Sequence, residues 1–232
     1  MRTIIADIRN LLFPRYCTVC GEKLVQGETY LCTNCLRHMP KTHFDPLGLN
    51  PMMLRFVGEL EVQHASSLFY YTHGDPYTRL IKEAKYHNLP QLSRHMGRMA
   101  ANEWKESGFF KEIDSLVPVP LSRRRKWSRG FNQSEWIARG VADVTAIPLN
   151  TSCLFRTTHN KTQTHMNAYE RWSNVQEIFT VRHPEQLTGR HILLIDDVFT
   201  TGATITSCVK TLTRDVPSLR ISIMTLCTAR DE

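Results

Sequence analysis

The stretch "HILLIDDVFTTGATI", His191 to Ile205, runs an apolar segment into two adjacent carboxylates and then into threonines around a glycine. Like charges side by side repel, so Asp196 and Asp197 require a reason to be neighbours. The apolar run "HILLI" reads as a strand buried on both faces, the pattern of a parallel sheet covered by helices. Ile205, Cys208, Val209 and Leu212 follow at helical spacing. The loop from Thr200 to Thr204 therefore lies at the carboxyl edge of the sheet, where the N–H groups of a first helical turn point outward and bind phosphate. Gly202, next to Ala203, lets the backbone approach closely, and Thr200, Thr201 and Thr204 offer hydroxyls. Asp196 and Asp197 can accept hydrogen bonds from vicinal hydroxyls or hold a divalent cation in an oxygen shell. Phosphate on the loop and a diol on the carboxylates describe a ribose 5-phosphate. A strand end followed by a threonine N-cap would account for Thr200 or Thr201, but not for the paired carboxylates and Gly202.

Outward from this stretch, strands and helices alternate from Gln63 on. "SSLFYY" reads as a strand, then come a helix with Tyr77, Leu80, Ile81 and Ala84 on one face and another with Leu92, Met96, Met99 and Ala100. "SLVPV", a helix carrying Trp136, Ile137, Val141 and Val144, and a last strand "RISIMTLC" complete an α/β unit expected over residues 61–232. Before it, Ile4, Ile5, Ile8, Leu11 and Leu12 form a helical stripe closed by Pro14. Pro46, Gly48, Pro51 and Gly58 mark a connection. Residues 1–60 are thus expected to be an N-terminal helix, a cysteine module and a linker.

Cys17, Cys20, Cys32 and Cys35 stand as C-x2-C-x11-C-x2-C, two knuckles able to wrap one tetrahedral Zn²⁺. A redox role for one CxxC pair is the alternative, and the two-pair spacing without a thioredoxin-like context favours metal. Four protein ligands leave no open position, which implies a structural site. Cys153, Cys208 and Cys227 fall in or beside apolar segments and read as small hydrophobes.

Lys and Arg number 29 against 22 Asp and Glu, a net charge of +7 that favours anionic partners. Arg123, Arg124, Arg125, Lys126 and Arg129 are interleaved with Trp127 and Phe131, a mixture of cations and rings that suits single-stranded nucleic acid, while their place after "SLVPVP" suits a ligand's phosphates equally well. A solvated basic face is the plainer alternative. Asp7 and Arg9 interrupt the N-terminal apolar pattern, and no run approaches the ~20 apolar residues of a membrane span. A cytoplasmic protein without a membrane partner is the expectation.

Ile192 to Thr204 resembles the signature of type I phosphoribosyltransferases, and residues 12–227 resemble the ComF family, competence-associated proteins of that type. The likeness is carried by "LLFPRYCTVCG", "LIKEAKY", "VPVPLSRRRKWSRGFNQS" and "LLIDDVFTTGAT". It implies a phosphoribosyltransferase fold with an N-terminal zinc module. It also implies that Asp196 and Asp197 contact the ribose of Mg²⁺-bound phosphoribosyl pyrophosphate (PRPP) and that Thr200 to Thr204 hold its 5′-phosphate. The pyrophosphate would meet the cations at 123–129. Arg156, Gln163 and Arg171 would belong to a loop closing over the ligand. Two functions are then expected: transfer of ribose 5-phosphate from PRPP to a nitrogen nucleophile, or a non-catalytic role in DNA uptake, with the fold as PRPP sensor or scaffold and single-stranded DNA or a DNA-processing protein as partner. "LSRRRK" stands where true amidotransferases have Asp-Ser-Gly, and Met1-Arg2 offers no N-terminal cysteine, so glutamine-dependent amine transfer is not expected.

Overall fold

A computed structural model describes residues 14–86, 89–157 and 178–230, the side chains of Tyr86 and Arg123 excepted. The N-terminal stripe Ile4 to Leu12 and the loop positions Gln163 and Arg171 lie outside the described residues.

Four parallel strands form the central sheet: β1 (Ala65–Tyr71), β2 (Ser115–Pro118), β5 (His191–Phe199) and β6 (Arg220–Ala229), in the order β1-β6-β5-β2. Period-two alternation explains how one strand serves two cores. In β5, Leu193 and Ile195 face one core while Ile192 and Leu194 face the other, all four fully buried. A two-stranded antiparallel ribbon, β3 (Leu154–Arg156) with β4 (Phe179–Val181), stands apart from this sheet.

The first face is covered by α3 (Thr78–Tyr86), α4 (Pro90–Trp104) and α6 (Gln133–Thr145), through Leu80, Met96 and Ile137 among others. Two glycines set the contact between α4 and α6. A Cβ on Gly97 would lie 2.1 Å from the Ile137 carbonyl oxygen, and one on Gly140 2.0 Å from that of Arg94. The helices touch backbone to backbone, and Asp143 ties them by accepting from Arg94 and Arg98 at 2.6–2.8 Å. The second face is covered by α7 (Ala203–Asp215) and by α2 (Pro51–Leu54) with Phe56. The stretch that reads as a linker therefore contributes Met52 and Phe56 to the core, and Lys41 bridges to Phe69 of β1.

The cysteine module, with its short helix α1 (Thr33–Arg37), packs on the first face: Cys17, Val19, Leu24, Leu31, Cys35 and Met39 share a core with α3 and α4. Among the described residues no helix is long and apolar enough to cross a membrane.

Candidate functional site

The Asp pair lies inside β5, which runs on to Phe199, four residues beyond the apolar segment. Gly202 then takes φ +77°, a left-handed conformation, and opens α7 with no side chain to cap it; Thr201 Oγ1 accepts from Ala203 N at 3.4 Å, and the amides at the helix start point outward. This arrangement fits a phosphate. A Cβ on Gly202 would meet the Phe199 ring at 2.9 Å, so only glycine fits both the dihedral and the space.

Above the carboxyl ends of β1, β2 and β5 is a cleft of about 420 Å³. Asp196, Asp197, Thr200 and Thr204 line it, as do Arg125, Arg129 and Arg156. The basic run is a helix, α5 (Arg123–Arg129), capped by Ser122 and ended by Gly130 in the left-handed region. Helical spacing sorts its cations: Arg125 and Arg129 face the cleft, Lys126 lines a neighbouring cavity, and Arg124 points to solvent. Trp127 is 93% exposed.

Sequence reading did not single out Lys82, Lys85, Gln133 and Ser134 for this cleft. Lys85 Nζ lies 2.8 Å from Asp197 Oδ2, and Ser134 Oγ donates to Asp196 Oδ1 at 2.8 Å. Asn132 holds the start of α6 in place, accepting from Ser134 N and donating to Val119 O at the end of β2. Gln133 accepts from Arg129 through Oε1, and its buried Nε2 has no hydrogen-bond partner among the described residues. An oxygen-rich ligand can satisfy that donor. The available signal was the i, i+3 spacing of Lys82 and Lys85 on the polar side of an amphipathic helix.

Burial, and secondarily the charge of Asp197, push the Asp196 carboxyl up to about 7, although Ser134 and the Asp197 N–H bond to it. The folded protein thus holds this proton more tightly than the unfolded chain, where a carboxyl titrates near ~3.9. The resulting stability is fully present below about pH 4 and is lost as pH rises through about 7. Asp196→Asn is therefore expected to raise the melting temperature by ~5 °C at pH 8 and to leave it unchanged at pH 4. Melting curves at the two pH values check this. Equal shifts at both would mean the carboxyl is ionised throughout.

The four cysteine sulfurs of the module lie within 4.8 Å of one another, and Cys20 and Cys32 are 3.8 Å apart. Tetrahedral zinc with ~2.3 Å bonds needs sulfurs about 3.8 Å apart, so the set fits the metal. Burial raises the Cys17 thiol, but amides of Cys20, Cys32 and Val19 outweigh it and bring it down to about 7, while burial and the neighbouring sulfurs push Cys35 well up, so the four together shed their protons only to a cation. The module also grips α3: Tyr77 Oη donates to Cys35 O at 2.6 Å and Arg79 to Val19 O at 3.1 Å. The helix that carries Lys85 to Asp197 is thus anchored on the zinc knuckles.

Residues 8–45 match the Double zinc ribbon domain family. Competence protein F of Haemophilus influenzae is 28% identical over 204 residues, 86% of this chain and 79% of that protein. DNA utilization protein YhgH of Escherichia coli K12 is 26% identical over 237 residues, covering 94% of this chain and 98% of that protein. Among solved structures, the glutamine PRPP amidotransferase of B. subtilis complexed with ADP and GMP is similar over 57% of this chain at 18% identity and a TM-score of 0.41. This chain spans 25% of the amidotransferase's length. With a double zinc ribbon packed on a helix-covered parallel sheet, the chain is similar along most of its length to proteins named for competence and DNA utilization.

Proposed function

We propose that the cleft binds PRPP with Mg²⁺ and transfers its ribose 5-phosphate to a nitrogen nucleophile, releasing pyrophosphate. The observation that carries this reading is the convergence of an acidic pair, a helix start and five cationic side chains on one cleft. Thr200, Thr204 and the first-turn amides of α7 would hold the 5′-phosphate, and Asp196 and Asp197 the ribose hydroxyls. Arg125, Arg129 and Arg156 would stabilise the pyrophosphate as the bond from ribose C1 to oxygen breaks and the bond from C1 to nitrogen forms. Asp196 and Asp197 offer the hard oxygen ligands that Mg²⁺ takes, and the ion would offset pyrophosphate charge when bound. Lys85 is paired with Asp197 and would turn toward ligand oxygens.

A second reading is favoured by the exposed Trp127, which follows Lys126 and stands three residues after Arg124 on one helix, and by relatives named for competence and DNA utilization. The same cleft would then sense PRPP without turnover, while the protein binds single-stranded DNA or a DNA-processing partner. Incubation with PRPP, Mg²⁺ and ammonia or free nucleobases, with pyrophosphate followed, separates the two. Pyrophosphate release above the spontaneous rate is expected for the transferase. PRPP binding with no release supports the sensor.

A further inference from the structure

Beside the PRPP cleft lies a larger cavity of about 560 Å³, separated from it by Pro120, Leu121 and Arg156, which line both. Its size falls in the range of small-ligand sites, roughly 300–1,000 Å³. The wall formed by the β3–β4 ribbon presents the partly exposed ring of Phe155, on which the Arg182 guanidinium lies 4.1 Å from the centroid. Arg182 N donates to Cys153 O at 2.7 Å, so the backbone of the pair is fixed by the ribbon's own ladder. Lys126 also lines the cavity, as does Glu135, whose carboxylate is paired with Arg139 at 2.8 Å, and Pro120 and Leu121 supply apolar surface.

A flat aromatic and guanidinium surface beside apolar walls suits a planar base, and Lys126 and Arg182 suit a phosphate. These groups are neutral toward base identity, since a ring stacks on any base. Lys126 belongs to the helix that exposes Trp127 and Arg124 on its outer side, so a second ring and a second cation continue outward from the cavity. That succession fits a polymer better than a single free nucleotide. We propose that the cavity takes one nucleotide of a single-stranded nucleic acid, its base against the Phe155–Arg182 pair and its phosphate near Lys126. This rests on the nucleic-acid reading above and gives it a subsite, one that sets the strand against the wall of the PRPP cleft.

The test is fluorescence anisotropy with a labelled oligothymidylate and the full chain across a salt series. Phe155→Leu is expected to weaken binding about tenfold with the salt slope unchanged, because a stacking surface is lost and no charge is. Phe155→Tyr restores the ring and should restore the affinity, which separates stacking from a folding defect. Arg182→Gln should weaken binding and flatten the salt slope. Wild-type affinity in Phe155→Leu, with Trp127→Ala weakened, would overturn the subsite and leave the nucleic-acid reading standing. No binding by the wild-type chain would overturn both. Thymidine monophosphate binding as tightly as the oligonucleotide would also overturn the proposal, since one free nucleotide would then suffice.

Discussion

Replacing Cys17 and Cys35 by serine is expected to remove the metal, ~1 zinc per chain in the parent protein, and to loosen α3 together with the module. Structural zinc contributes on the order of 10–16 kcal/mol to the folding of small finger peptides, far more than the few apolar side chains of this module can replace. Two separate cores would melt separately, but Cys17, Val19, Leu31 and Cys35 share one core with Leu80, Ile81 and Ala84. The hydrogen bonds from Tyr77 and Arg79 end on carbonyls of that module. Metal analysis should therefore fall to zero, and hydrogen exchange in Thr78–Tyr86 should quicken by two orders of magnitude or more, while the β5–β6 ladder keeps its protection. Unchanged protection of α3 in a zinc-free variant would show that the knuckles do not hold the helix.

What the sequence discloses, and what it hides, follows from which interactions are local. Strand β5 and helix α7 are legible because apolar period and glycine placement are properties of neighbouring residues. The four cysteines are legible because zinc chemistry fixes their spacing. Lys85 is not, because it reaches Asp197 across 112 positions of chain only through the packing of α3 on the sheet. Ser134 meets Asp196 in the same way, 62 positions away. The basic run reads as one block of charge, whereas its helix divides that charge between two cavities and solvent. Met52 and Phe56 hide in a stretch of prolines and glycines because α2 is four residues long, too short to show a period.

We propose that Asp196 and Asp197 are neighbours because together they grip a ribose diol. Asparagine keeps the shape of each side chain and removes its charge. A hydrogen bond to a charged acceptor contributes ~1.5–3 kcal/mol, so losing two such acceptors should cost roughly a hundredfold in PRPP affinity or more. Inorganic pyrophosphate has no diol, and the same substitutions release Lys85 from Asp197, so its affinity without Mg²⁺ should hold or rise. Calorimetric titration at pH 8 of the parent protein and of Asp196→Asn/Asp197→Asn with PRPP and with pyrophosphate, each without and with Mg²⁺, separates the diol from the metal. PRPP is expected to bind the parent and to bind the variant about two orders of magnitude more weakly, with metal-free pyrophosphate spared. Absence of binding to the parent at millimolar PRPP, or an equal change for both ligands without Mg²⁺, would contradict the proposal.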